Sequence, residues 1–302
     1  MKHCATLLFL SAISLSTMGC FSLTDKKDTP HAPTVTQAQQ NLENKKKNLQ
    51  SRKPSFTLPE NLGGIISSDR WVVYQEKQQE EFTGHVNYDN GQYIFKADYV
   101  LSQRKKNLLT AKGNVFARCN AEEGIWYELH ADQANYNYQA GNGNAKANRN
   151  KLAQLIYHTV KDELLTAYAQ QAQFNTKEQT FQLDGKATLI YTNKQGQTLT
   201  LKADHITARQ KDQYALLKGH AEVDNGQYQL KAQTLEYDGI AQQARAYGER
   251  PLTSGTTEEG TFAIIADEVS ANTESHHVQL EGHVQGWVIA DKINQSPASK
   301  AF

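Results

Sequence analysis

The chain lacks a net charge: 32 Lys and Arg are matched by 32 Asp and Glu over 302 residues. Proteins that neutralise a phosphate backbone carry a basic excess, so nucleic acid is excluded as a partner. The signatures of catalysis are missing too. No nucleophile elbow, P-loop, dinucleotide fingerprint or zinc-ligand spacing occurs, and no paired-carboxylate signal supports a carbohydrate-active enzyme. No catalytic residue, metal or cofactor is therefore expected. No apolar run reaches the ~20 residues that a membrane helix needs. The longest lies in residues 1–20, MKHCATLLFLSAISLSTMGC, whose basic start and short apolar core read as a secretory signal.

Cysteine is scarce, with three in the chain. Cys4 leaves with the signal. Cys20 closes the small-residue stretch TMGC, which resembles a bacterial lipobox, with Thr17 where such boxes carry Leu. On that reading Cys20 is the acylated first residue of the mature chain and its membrane anchor; simple cleavage and release is the alternative. If Cys20 is acylated, Cys119 is left without a partner. Residues 21–66 follow as a polar, Lys-rich tether (DKKDTP, NLENKKKNLQSRKP) without strand pattern. A flexible coil of ~45 residues reaches roughly 35–40 Å. Its Lys45–Lys47 run reads as solvated charge.

What the rest of the chain has is repetition. One box recurs at Ala97 (ADYVLSQ), Ala131 (ADQANYN), Ala169 (AQQAQFN), Ala203 (ADHITAR), Ala232 (AQTLEYD), Ala266 (ADEVSAN) and Ala290 (ADKINQS), with spacings of 34, 38, 34, 29, 34 and 24 residues. Such self-similarity defines an array. Positions four and two before each Ala are mostly apolar, as in Tyr93/Phe95 and Leu199/Leu201, which is the period of a half-buried strand. After the Ala the apolar phase slips by one, to Val100, Ala134, Ala172, Ile206, Leu235 and Val269. A slip exchanges the faces of a strand, so a bulge or corner is expected there.

A second box places a glycine at Gly84, Gly113, Gly185, Gly219, Gly248 and Gly282. It follows the Ala by 16 residues in five of six intervals, and in the sixth that residue is Ala147. The distance from the box glycine, or from Ala147 in its place, to the next Ala instead varies from 8 to 22, so variable loops lie on one side. DNGQY occurs there twice, at Asp89–Tyr93 and Asp224–Tyr228, and Asn-Gly between alternating strands signals a hairpin. Each ~34-residue period then holds about four strands, two per sheet, which argues against a helical 34-residue repeat. The fold class is all-β: seven repeat units of antiparallel strands in two facing sheets. The repeated Asp of the Ala boxes is explained by an outward corner position. His85, His220 and His283 each follow a box glycine; they belong to separate units and read as exposed strand residues, not a metal ladder.

The units GNV…ADQANYN, LDGKATLIY…LKADHITARQKDQYALLKGHAEV and AYGERPL…IADEV resemble the OstA-like domain of the lipopolysaccharide-transport (Lpt) family, over residues 67–294, with a tail at 295–302. The resemblance implies a V-shaped β-jellyroll in the periplasm of a Gram-negative bacterium. It also implies acyl chains held between the sheets and end-to-end docking with homologous domains. Large inward residues (Phe95, Leu129, Leu201, Leu230, Ile264) and small corner residues (Ala97, Ala131, Ala169, Ala203, Ala232, Ala266) are the candidate lipid-binding groove for lipopolysaccharide or a related acylated lipid. From the residues alone, Ala at each corner fits either a groove or a tight turn. A structural envelope rod with a filled core is the alternative function.

Overall fold

The structure is a computed structural model describing residues 64–290, apart from 123, 149, 150, 160, 176, 210, 258, 259 and 276. The signal segment with Cys20, the tether up to residue 63 and the 295–302 tail lie outside the described residues. Two-residue apolar alternation becomes strand throughout: β1 (Ile65–Ser67), β2 (Arg70–Tyr74), β3 (Gln79–Asp89), β4 (Tyr93–Gln103), β5 (Leu108–Glu122), β6 (Ile125–Asn137), β7 (Asn142–Lys146), β8 (Ala153–His158), β9 (Leu164–Ala169), β10 (Gln171–Asn175), β11 (Thr180–Thr192), β12 (Thr198–Arg209), β13 (Tyr214–Asp224), β14 (Tyr228–Asp238), β15 (Gln243–Tyr247), β16 (Leu252–Thr257), β17 (Gly260–Ile265), β18 (Glu268–Asn272), β19 (His277–Glu281) and β20 (Gln285–Ala290). Among the described residues a single 3-10 turn, Arg104–Lys106, interrupts them. Both DNGQY segments make hairpins, β3–β4 and β13–β14, each with a left-handed glycine, Gly91 and Gly226.

The strands are antiparallel and form two layers in nearly the same chain order. The first runs β1, β3, β4, β5, β6, β8, β9, β11, β12, β13, β14, β16, β17, β20. The second runs β2, β3, β4, β5, β6, β7, β10, β11, β12, β13, β14, β15, β18, β19. Eight strands serve both layers. The register breaks where they cross, between Thr83 and Val86, Lys96 and Tyr99, Lys112 and Val115, Asp184 and Ala187, Lys202 and His205, and Lys218 and Ala221. These breaks are the corners that the phase slip predicts; what would have been two short strands is often one long strand, bulged in the middle.

The slip has a packing cause. In the second layer one residue per strand forms an unbroken cross-strand row: Trp71, Phe82, Val100, Ala111, Ala134, Ala145, Ala172, Leu183, Ile206, Leu217, Leu235, Ala246, Val269, Leu280. Leu183, Leu217 and Leu235 are among the largest fully buried side chains, and burying such a residue contributes about 1.5–3 kcal/mol. This row packs against the corner alanines of the first layer in a core cluster holding Ala169, Ala187, Ala203, Ala221 and Ala266. A second cluster holds Phe82, Val86, Ala97, Val100, Ala111 and Val115.

Two expectations are corrected. Ile65 and Ile66 belong to β1 and not to the tether, because they pair with Asp89 and Tyr88. Cys119 is disulfide-bonded, so the unpaired thiol inferred from acylation of Cys20 does not hold; its strand position, 7% exposed, leaves it inside the layer.

Candidate functional site

The corners that carry a box glycine share one backbone turn. The box glycine has φ between +70° and +80° and the next residue is left-handed as well, as at Gly219 (φ +78°) and His220 (φ +50°). Only glycine takes the first position without strain, and a Cβ on Gly219 would lie 2.3 Å from Asp204 Oδ2. Gln170 and Gln233 fill that space at Gly185 and Gly248; at Gly84, Gly113, Gly219 and Gly282 it is an Asp. Its carboxylate faces the residue after the glycine: His85 Nδ1 on Asp69 at 2.8 Å, His220 Nδ1 on Asp204 at 2.9 Å, and His283 Nδ1 on Asp267 at 2.7 Å. Asn114 Nδ2 donates to Asp98 at 2.9 Å in the same place. Where Ala147 replaces the glycine, the Asn148 amide donates to Asp132 instead. The Asp and His that look unrelated in the sequence are therefore one device. Their hydrogen bonds raise the His85 and His220 pKa above the ordinary imidazole value. Asp69 also shows that the array starts one corner before Ala97, at Ser68-Asp69, where Ser in place of Ala hides the box.

Two residues before each corner alanine lies the inward row of the first layer. It reads Tyr88, Phe95, Ala117, Leu129, Leu155, Ala167, Leu189, Leu201, Val223, Leu230, Thr253, Ile264, each the cross-strand partner of the next. The structure thus brings Phe95, Leu129, Leu201, Leu230 and Ile264 onto one line, all half-buried. Side chains on the inner face that stay partly exposed show that the opposite layer does not cover them fully. The alanines sit deeper: Ala97, Ala169, Ala203 and Ala266 are buried at the corners, Ala131 and Ala232 half-buried. Ala169, Ala203 and Ala266 pack within the core cluster, while Leu201 and Leu230 lie against it partly exposed.

Further from the corner the same face is aromatic. Tyr93, Cys119, Tyr127, Tyr157, Leu165, Tyr191 and Leu199 are successive partners, and Tyr228 and Phe262 continue the line around Gly255. The Tyr127 and Tyr157 rings stack at 4.7 Å. Burial pushes the Tyr93 and Tyr157 phenols up, so they stay neutral hydroxyls on an apolar wall. One polar group breaks the inward row: Thr253 Oγ1 is buried with no hydrogen-bond partner among the described residues.

Both ends of the array present strand edges. Among the described residues β1 and β2 pair only with β3, β19 only with β18 and β20 only with β17. Apolar side chains are exposed at both ends: Trp71 at 54% and Val73 at 53%, Val288 at 70% and Ile289 at 71%. Neither the aromatic line nor these edges require a metal, and no group of three or more His, Cys, Asp or Glu suited to hold one occurs among the described residues.

Residues 65–214 match the family described as LptA/(LptD N-terminal domain) LPS transport protein, and this segment is Lpt-like. The match ends where β13 begins, yet the cross-strand rows continue past it, in the first layer to Ile264 of β17 and in the second to Leu280 of β19. A solved structure, LptH, the LptA-homologous periplasmic component of the lipopolysaccharide transport device of Pseudomonas aeruginosa, is similar at 13% identity, covering 52% of this chain and 82% of its own, with a TM-score of 0.25. No curated protein matches.

Proposed function

We propose that the protein is a periplasmic, non-enzymatic carrier that holds lipopolysaccharide, or a related acylated lipid, by its acyl chains between the two layers. One observation carries this reading: the row from Phe95 to Ile264, apolar except at Thr253 and half-buried except at the buried Ala167 and Val223, lies in register across the first layer. An acyl chain laid along it meets side chains strand after strand, at ~4.8 Å intervals, each step adding apolar burial of ~25 cal/mol per Å². The aromatic line beyond gives the neutral hydroxyls suited to a boundary between acyl chain and polar head. The family match over residues 65–214 supports the same cargo. The edges β2 and β20 offer main-chain groups to homologous domains, which would join two interiors into one path. Acylation of Cys20 would tether the array to a membrane only in a chain whose Cys20 sulfur is not engaged by the Cys119 disulfide.

Photo-crosslinking residues placed at Leu201, Leu230 and Ile264 test the cargo. Adducts carrying acylated lipid are expected at all three, with an outward control at Lys202, exposed on the same strand, giving none. A folded protein with no lipid adduct at any inward position refutes the carrier reading and favours a filled structural rod.

A further inference from the structure

The heptapeptides ADQANYN and AQQAQFN have a role that the lipid interior does not absorb. Their second halves lie in β6 and β10, with only β7 between them. Asn135, Asn144, Gln173, Gln182 and Thr207 are successive cross-strand partners, and Thr110 precedes them opposite Asn135. Two residues outward a second row reads Asn137, Asn142, Asn175, Thr180. The buried residues Ala145, Ala172 and Leu183 alternate with these positions, so the carboxamides point away from the core. A cleft of about 370 Å³ is lined by both rows. No charged residue lines it, although 21% of the chain is charged.

The amides are ordered and leave capacity over. Thr110 Oγ1 donates to Asn135 Oδ1 at 2.8 Å, and Asn135 Nδ2 donates to Asn144 Oδ1 at 3.2 Å. This chain runs one way and ends on the donor group of Asn144. From the other side Gln173 and Gln182 both donate to Asp184, at 3.3 and 3.0 Å, which leaves their carbonyl oxygens as acceptors. Among the described residues no hydrogen bond joins Asn144 to Gln173, its direct cross-strand partner. A donor and acceptors thus stand side by side on adjacent strands, and a hydroxyl satisfies both because it accepts and donates at once.

We infer that this cleft on the outer face of the second layer binds a neutral oligosaccharide. An anionic ligand finds no cation in the lining and meets the Asp184 carboxylate beside it; a cationic one finds no acid in the lining. A chain of hydroxyl pairs matches the neutral, bifunctional amides. The site faces away from the proposed lipid interior and does not rest on it.

The test uses the folded full chain in a side-chain amide NMR titration with cellopentaose, maltopentaose and, as the charged arm, a sulfated dextran fragment. Saturable shifts at Asn135, Asn144, Gln173 and Gln182 with at least one neutral pentasaccharide are expected. The Asn144→Asp variant keeps the shape and the acceptor used by Asn135 and removes the free donor; it should bind at least tenfold more weakly with an unchanged unfolding midpoint. A second variant, Asn144→Ala, covers the case in which the added charge disturbs the sheet, and should also weaken binding. Absence of shifts with both neutral sugars at about 10 mM, binding of the sulfated fragment only, or equal affinity of a folded variant each overturns the proposal.

Discussion

Replacing Gly219 by Ala tests whether the corner is held by the close approach of Asp204 or by backbone conformation alone. Two costs are separable. The first is the left-handed φ of +78°, worth about 1–2 kcal/mol for a residue with a Cβ. The second is steric: the new Cβ would lie 2.3 Å from Asp204 Oδ2 and 2.9 Å from both its Cβ and Cγ. Rotating the carboxylate relieves the first contact at ~0.5–1.5 kcal/mol if it leaves its rotamer well, but the contact with Asp204 Cβ requires a backbone shift. Gly226 is the internal control, because its φ is +83° and a Cβ there meets nothing within 4 Å. Gly226→Ala should therefore cost about 1–2 kcal/mol and Gly219→Ala about 1 kcal/mol more. For a domain of this size the excess is a further ~2–4 °C in unfolding midpoint. Urea unfolding followed by circular dichroism and tyrosine fluorescence measures both, and coincident transitions license the comparison. Asp204→Ala should shrink the excess, since Oδ2 and Cγ are gone. If Gly219→Ala costs no more than Gly226→Ala, the steric account of the corner is wrong.

Four further outcomes follow. Ala203→Phe, placed in a buried corner opposite Ala187, should overpack the core and cost about 1–3 kcal/mol, read in the same unfolding assay; unchanged stability would mean that the corner is open. Thr253→Val removes a buried hydroxyl that has no partner among the described residues, so it should raise stability by about 1 kcal/mol, and a loss would show that the hydroxyl is satisfied. His85 and His220 have folded pKa values raised by Asp69 and Asp204. Their contribution is therefore full below the unfolded value near 6.5 and is lost as pH rises through the folded value. NMR titration should place both imidazoles above about 6.5, and the His85→Asn/His220→Asn variant, which copies the Asn114 corner, should flatten that part of the stability profile. Ile289→Lys, at an exposed site on edge strand β20, should weaken end-to-end association in sedimentation while leaving the unfolding midpoint of the monomer unchanged; unaltered association would place the contact elsewhere.

The corners were legible because their chemistry is narrow. A small inward residue and a glycine with positive φ, 16 residues apart, leave a mark that survives changes elsewhere. The inward row was legible for a related reason: Phe95, Leu129, Leu201, Leu230 and Ile264 hold a fixed offset from the alanines, and the ladder turns a fixed offset into a shared row. The opening corner at Ser68-Asp69 was not, because Ser serves there as well as Ala and the box dissolves. The pairing of His220 with Asp204 was hidden by distance along the chain; each residue taken alone has an ordinary surface explanation. Cys119 was misjudged because its partner was argued from processing and not from the fold. The carboxamide cleft was invisible for a different reason, since outward Asn and Gln on strands carry no periodic signal until register sets them side by side.

The crossing pattern of the long strands makes length a free variable. Each period adds two segments to each layer, an even number, so removing or inserting one whole period restores antiparallel neighbours and returns every inward side chain to the same face. A splice that puts Ala203 in the place of its counterpart one period earlier, Ala169, would leave Ala167 at the strand position that Leu201 vacates, and the apolar row would close over the gap. Duplication would lengthen that row by the same step, repeating existing turns and corners and adding no edge. Descent by gain and loss of windings can thus fit the span of the interior to the distance it must cover, while the two terminal edges, and whatever they recognise, stay untouched.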